Sequence, residues 1–218
     1  MDGNKRWAEN KKLPIKDAYS VGIDNVLRIS EKIIEKDIKY LSVYALSTEN
    51  LKRKSVNMLF NSIFDKFYQF LNKLVNEKSI KIKVIGERDN LPIKLKKIIN
   101  EAEQKTINNK KLTLILAFNY GFKSELISVF KKLYKKIKPV NDKKIDNIKI
   151  DNLFYLNNIP DPDILIRTGG YQRLSNFILL NLSYTELFFK NTLWPDFSNN
   201  ELESILLQFS KMNRNYGL

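Results

Sequence analysis

The sequence predicts one α/β domain spanning residues 1–218, a central and mainly parallel sheet flanked by helices, and three observations carry that expectation. Short apolar runs rich in β-branched residues alternate with longer segments of helical period. The chain is long enough, and at 43% hydrophobic residues apolar enough, to bury one sizeable core. No Gly-, Pro- or Ser-rich tract breaks it into parts.

In chain order, helical period places a helix over Asp17–Lys36, followed by a strand over Ile38–Leu46. A second helix spans Ser55–Glu77, and a strand runs over Ile80–Ile85. Pro92–Thr106 reads as helix, Leu112–Phe118 as strand, and Lys123–Lys138 and Asp146–Tyr155 as helices. Ile164–Ile166 and Phe177–Leu180 read as strands, Leu187–Phe189 as a further short one, and Asn199–Met212 as the last helix. The near-continuous hydrophobicity of the strands fits burial on both faces. In the second helix, Val56, Leu59, Phe60, Ile63, Phe64, Phe67, Phe70, Leu71 and Leu74 fall at spacings of three and four. Such a stripe is either core or the wall of a pocket for a long hydrocarbon.

Composition narrows the chemistry. With no Cys and no His, thiolate nucleophiles, disulfides, the usual zinc ligands and the usual neutral-pH base are all excluded, so a metal must be held by oxygen, which favours Mg²⁺. No apolar run reaches membrane-spanning length and the first residues are too polar for a signal peptide, so a cytoplasmic protein is expected. A net charge of +14 suits a phosphate-bearing partner or an anionic membrane surface. Lys, Ile and Asn are abundant together and the lysines are spread over helix surfaces, so compositional bias explains the charge as well, and basicity alone does not make a nucleic-acid binder.

Arginine is more informative than lysine, because its planar fork grips phosphate oxygens bidentately. Seven arginines stand among thirty-one lysines, and four of the seven lie in three polar clusters: Met1-Asp-Gly-Asn-Lys-Arg-Trp7, Ser47-Thr-Glu-Asn-Leu-Lys-Arg53 and Arg167-Thr-Gly-Gly-Tyr-Gln-Arg-Leu-Ser175. The second and third follow predicted strands, where α/β proteins build their sites. Singly, each reads equally as a turn or a helix cap. Together they point to an anion site, with Gly169-Gly170 amides and the Arg167, Arg173 and Ser175 side chains as donors.

These clusters resemble the cis-prenyltransferases, the family of the bacterial undecaprenyl diphosphate synthases. So do Val84-Ile-Gly86, Ala117-Phe-Asn-Tyr-Gly121, Pro160-Asp-Pro-Asp163, Tyr184-x-Glu-Leu187 and Leu193-Trp-Pro-Asp-Phe197, so that the resemblance covers essentially the whole chain. It implies a homodimer of undecaprenyl diphosphate synthase-like fold that condenses isopentenyl diphosphate with an allylic diphosphate such as farnesyl diphosphate, making a polyprenyl diphosphate lipid carrier. It implies Asp2 as Mg²⁺ ligand and catalytic residue, with Gly3, Asn4, Lys5, Arg6 and Trp7 beside the leaving pyrophosphate and Tyr19 nearby. Arg167, Arg173, Leu174 and Ser175 would bind the isopentenyl pyrophosphate, with Glu186 completing the metal site. Ser47, Thr48, Glu49, Leu51 and Arg53 would form the loop between the substrates, and Asn50 would stand at the position of proton abstraction. The Phe-rich helix then becomes a tunnel wall. Peripheral membrane contact is compatible with the cationic surface, and no nucleic acid is expected, because the aromatic residues keep core periods.

Lys5, Ile15, Tyr19, Leu51, Asn57, Tyr171 and Asn215 depart from the family pattern, and a non-catalytic or impaired subunit of a prenyltransferase complex is the alternative those departures leave open. The chain also begins at its first motif, where the resemblance implies a preceding apolar strand, so Asp2 is expected on a frayed terminus.

Overall fold

The computed structural model describes residues 1–51, 60–89, 91–137 and 149–214. Expectations for Arg53, Val56, Asn57, Leu59 and Asn215 lie outside these residues, as do the first parts of the helices expected over 55–77 and 146–155. Strand β3 (Leu112–Tyr120) accounts for the most apolar run in the chain, since it is hydrogen-bonded on both sides to parallel neighbours, β1 (Tyr40–Ser47) and β2 (Ile80–Ile85). Leu114, Ile115, Leu116 and Ala117 in its middle are completely buried. Parallel strands require covering elements on both faces. On one of them, α2 (Ile15–Glu35), α4 (Phe60–Asn76) and α5 (Ile93–Thr106) close a common core with the sheet. A smaller core on Tyr120, Ile115, Leu156 and Ile178 lies beyond it, held by the buried Glu125 of α6 (Phe122–Ile137), which accepts hydrogen bonds from Tyr120 Oη and the Tyr155 amide at 2.6 Å each.

The remaining described strands, β4 (Ile164–Arg167) and β5 (Glu186–Phe189), pair parallel with each other as a separate two-stranded sheet. Their union with the rest uses side-chain as well as backbone hydrogen bonds. The turn Trp194–Asp196 is the joint: Asn25 on α2 donates to the carbonyls of Trp194 and Phe197 at 2.6 and 3.1 Å, and Trp194 Nε1 donates to the Gly22 carbonyl at 2.8 Å. Helix α7 (Asn199–Ser210) follows directly, started by a Ser198–Glu201 capping box.

Three elements differ from expectation. Asn4–Lys11 is a helix, α1, although only Trp7 and Ala8 of it are buried; two contacts at that density leave no periodic signal. Phe177–Leu180 is no strand. Ser175, Asn176 and Ile178 take left-handed φ values of 49, 63 and 31°, and a 3₁₀ turn follows at Leu179–Leu182. Its apolar residues are apolar because Phe177 stacks on Tyr44 at 4.6 Å and Ile178 enters the smaller core, a burial that periodicity cannot tell from a strand. Ile150–Leu153, finally, is a 3₁₀ turn within the span expected to be helix.

In the described part of the Phe-bearing helix, from Phe64 on, the stripe lies in the core. Phe64, Phe67, Phe70, Leu71 and Leu74 are all buried, and Phe67 stacks on Phe118 of β3 at 4.2 Å. The crevice beside its far end, between Asn72, Val75, Ile98 and Ala102, measures about 10 Å³, room for one water. These five side chains belong to the main core. Truncating Phe67→Ala should cost about 3–5 kcal/mol, read as a lowered midpoint in chemical denaturation.

Candidate active site

Two rims meet at the carboxyl ends of the strands. Ser47, closing β1, lies opposite Tyr120 of β3, so the short helix α3 (Thr48–Leu51) and Gly121 are neighbours. A Cβ on Gly121 would fall 2.6 Å from Thr48 Oγ1 and 2.8 Å from Asn176 Nδ2, so this approach requires glycine. Asn176 spans the gap. Its side-chain amide donates to Glu49 Oε1 at 2.7 Å, while its Oδ1 and carbonyl accept from the Lys123 and Phe122 amides at 3.0 and 2.9 Å.

The second rim is built around Asp2. Far from frayed, its carbonyl accepts from the Trp194 amide at 2.9 Å and from Thr168 Oγ1 at 3.2 Å, and its amide donates to Thr168 Oγ1 at 3.1 Å. Its carboxylate receives the Gly3 amide on Oδ1 at 2.7 Å and Arg167 Nη2 on Oδ2 at 2.9 Å, with Arg6 Nη2 at 3.9 Å. The Arg167 side chain is only 13% exposed, which makes its pair with Asp2 stronger than a surface ion pair. Its other nitrogen donates to Ser175 Oγ at 2.8 Å and to the Arg173 carbonyl. Arg6 donates to the Gly169 carbonyl at 2.7 Å.

Gly169 and Gly170 stand at φ 88 and 79°, and a Cβ on Gly169 would meet Arg6 Nη2 at 2.7 Å. Their amides are spent on the Thr192 and Lys190 carbonyls, at 2.8 and 2.9 Å, so they do not cradle an anion as expected from the sequence. What the Gly-Gly turn delivers is the Tyr171 ring, whose centroid lies 4.1 Å from the Arg173 guanidinium carbon, 4.9 Å from that of Arg6 and 5.8 Å from that of Arg167.

The structure thus gathers Asp2, Arg6, Arg167, Arg173 and Ser175 on one rim and Ser47, Thr48 and Glu49 on the other, with the Asn50 amide donating to Ser47 Oγ at 3.0 Å. Several expected site residues go elsewhere. Trp7 is buried and donates to Asp196 Oδ1 at 2.7 Å, because an indole on a short polar helix is that helix's only large apolar anchor. Lys5 lies exposed next to Glu9, and Leu51 packs on the main core. Asn4 Oδ1 is buried against Gly22 without a partner. Tyr19 lies on α2, where burial pushes its hydroxyl above the ordinary tyrosine value. Leu174 is half-buried, its carbonyl accepting from the Phe177 amide.

Glu186 lies apart from Asp2 within the chain. It pairs with Ile164 at the start of β4, whereas Asp2 meets Arg167 and Thr168 past its end, roughly 10 Å along the strand. No group of three or more acidic residues able to hold a metal ion occurs among the described residues. Thr168 and Asn176, which hold the two rims, escaped prediction as site residues, although the first stands inside the Arg167–Ser175 cluster and the second directly follows it.

Arginine forks, one carboxylate and a helix start at the carboxyl end of parallel strands define a protein that handles diphosphates. The comparisons agree. The family described as "Putative undecaprenyl diphosphate synthase" matches residues 1–217, and the chain belongs to this family, the cis-prenyltransferases. It is 37% identical over its whole length to the isoprenyl transferase of Heliobacterium mobile, covering 85% of that relative. It is likewise 37% identical to the farnesyl-diphosphate-specific ditrans,polycis-undecaprenyl-diphosphate synthase of Micrococcus luteus, covering 88% of it. Among solved structures, lavandulyl diphosphate synthase from Lavandula x intermedia, in complex with dimethylallyl diphosphate, aligns over 100% of this chain and 95% of its own, with a TM-score of 0.86 at 28% identity. A probable undecaprenyl diphosphate synthase from Campylobacter jejuni aligns over 91% of this chain and 93% of its own, with a TM-score of 0.76 at 29% identity.

Burial raises the Glu49 carboxyl, but hydrogen bonds from its own backbone, Asn176, Ser47 and Thr48 outweigh burial and leave it below the ordinary value. A carboxyl depressed in the folded state stabilises the fold above the unfolded-state pKa and loses that contribution as pH falls through the folded-state one. Glu49→Gln should accordingly lower the thermal midpoint at neutral pH, and the difference from the unsubstituted protein should shrink as the buffer is taken down through the carboxylate range.

Proposed function

We infer that this chain condenses isopentenyl diphosphate with an allylic diphosphate, farnesyl diphosphate being one such primer, to make a polyprenyl diphosphate lipid carrier. The observation that carries the reading is the convergence of Asp2, Arg6 and Arg167 with Ser175 at the end of β4. In the reaction the allylic carbon–oxygen bond breaks and its electron pair leaves on the diphosphate. The isopentenyl double bond supplies the pair for the new carbon–carbon bond, and a proton is lost.

Arg6 and the first-turn amides of α1 hold the leaving diphosphate, and Arg167, Arg173 and Ser175 hold the isopentenyl diphosphate. Positive charge already in place where negative charge develops lowers the barrier without reorganisation. The Asn50 amide is a poor base, so it positions the isopentenyl group while released pyrophosphate takes the proton. Asp2 suits Mg²⁺, which is commonly held by one or two carboxylates together with substrate phosphates and waters. Bound there, the cation would supply charge neutralisation at the leaving diphosphate.

Residues 1–218 act as one domain, in our reading as a homodimer. The faces of Leu179, Leu180, Tyr184 and Leu187, 37–59% exposed around β5, form an apolar surface that a second copy would cover. No described helix is long and apolar enough to cross a membrane. A cytoplasmic enzyme touching the anionic bilayer face through its +14 charge suits a product that must enter lipid.

Incubation with farnesyl diphosphate, radiolabelled isopentenyl diphosphate and Mg²⁺ should yield extractable polyprenyl product, and chelation by EDTA should stop it. Asp2→Ala should slow the reaction about a hundredfold or more. No product from the unsubstituted protein would overturn the reading. Light scattering should report twice the 25.6 kDa chain mass, and Leu187→Asp should shift it towards the monomer.

A further inference from the structure

We propose that Tyr171 is a positioning residue of the diphosphate site, its ring face holding the guanidinium groups of Arg6, Arg167 and Arg173 together while leaving their charge available to the ligand. The proposal rests on the reading of this rim as a diphosphate site, and it assigns a role to a position that departs from the family pattern.

Three guanidinium carbons lie within 5.8 Å of one ring centroid. Like charges at that spacing repel, and the nearest carboxylate, Asp2, is engaged by Arg167 at 2.9 Å and more distantly by Arg6 at 3.9 Å. No ion pair places a carboxylate on Arg173 among the described residues. The ring quadrupole presents negative potential to cations on its faces, so the phenol side chain attracts all three without neutralising any. An aliphatic side chain in its place would remove that attraction and leave the three charges to repel.

The backbone is shaped for this placement. Two consecutive glycines at positive φ, tied by their amides to the Thr192 and Lys190 carbonyls, turn the chain so that residue 171 folds back over Arg6 and Arg167. Tyr171 itself is 42% exposed and belongs to none of the core clusters. Packing of the fold therefore does not account for its position. The arginines do.

The test is calorimetric titration with inorganic pyrophosphate, together with steady-state kinetics, on Tyr171→Leu and Tyr171→Phe. Tyr171→Leu should weaken pyrophosphate binding about tenfold and raise KM for isopentenyl diphosphate more than it lowers kcat, with an unchanged thermal midpoint. Tyr171→Phe, which keeps the ring, should bind within about twofold of the unsubstituted protein. Unchanged pyrophosphate affinity in Tyr171→Leu would overturn the proposal, as would a Tyr171→Phe variant as impaired as Tyr171→Leu, which would place the role in the hydroxyl. Because pyrophosphate binding is read without turnover, a protein that forms no prenyl product yet loses pyrophosphate affinity in Tyr171→Leu sinks the proposed function and supports the role of Tyr171.

Discussion

Everything at the site hangs on the fixing of the Asp2 backbone between Thr168 and Trp194. The Asp2 carbonyl accepts from both, and the Asp2 amide returns a bond to Thr168. A carboxylate can act on a diphosphate only if its position is settled before the ligand arrives, since ordering it afterwards would subtract from binding. The Trp194 turn is itself held by Asn25 and Gly22 of α2, so the site inherits the rigidity of the main core. One continuous chain of contacts leads from the buried sheet to the carboxylate.

Charge is handled with the same economy. The rim concentrates guanidinium groups and keeps few counter-charges: Asp2 faces Arg167 and Arg6, Ser175 and the Arg173 carbonyl accept from Arg167, the Gly169 carbonyl accepts from Arg6, and an aromatic ring lies against all three arginines. Hydrogen bonds to carbonyls and hydroxyls orient an arginine without cancelling its field. The opposite rim follows another rule, with Glu49 held ionised by neutral donors from Asn176 and Thr48. The loop joining the rims accepts left-handed backbone at Ser175 and Asn176, a local strain sustained by the Phe177–Tyr44 stack.

Much of the fold was legible in the chain. β2 ends where its apolar run ends, and α5 and α7 lie within a few residues of their expected limits, because strand and helix periods there coincide with burial. Residues 4–11 and 177–180 were misread for opposite reasons. The former helix buries too little to show a period, and the latter loop is apolar through insertion into a core formed by distant residues. Of the site, the arginine clusters were legible as chemistry, since scarce forks in short polar motifs have few other uses. Trp7 was not, because an indole near a ligand motif and an indole anchoring a helix look alike until Asp196 is seen beside it.

By itself the sequence determined the parallel α/β character, the lack of Cys and His as metal ligands, the family and the gathering of four of the seven arginines in three polar motifs. Those properties are local or compositional: periods, absent residue types and motifs read within a few neighbours. Only the tertiary structure decided that Glu186 stands a strand-length away from Asp2, that the Phe64–Leu74 stretch fills a core, that the glycine amides are already bonded, and that Tyr171 sits among three arginines. Each of these depends on which distant segments share a space, and that is set by the packing of the whole chain, which no single segment encodes.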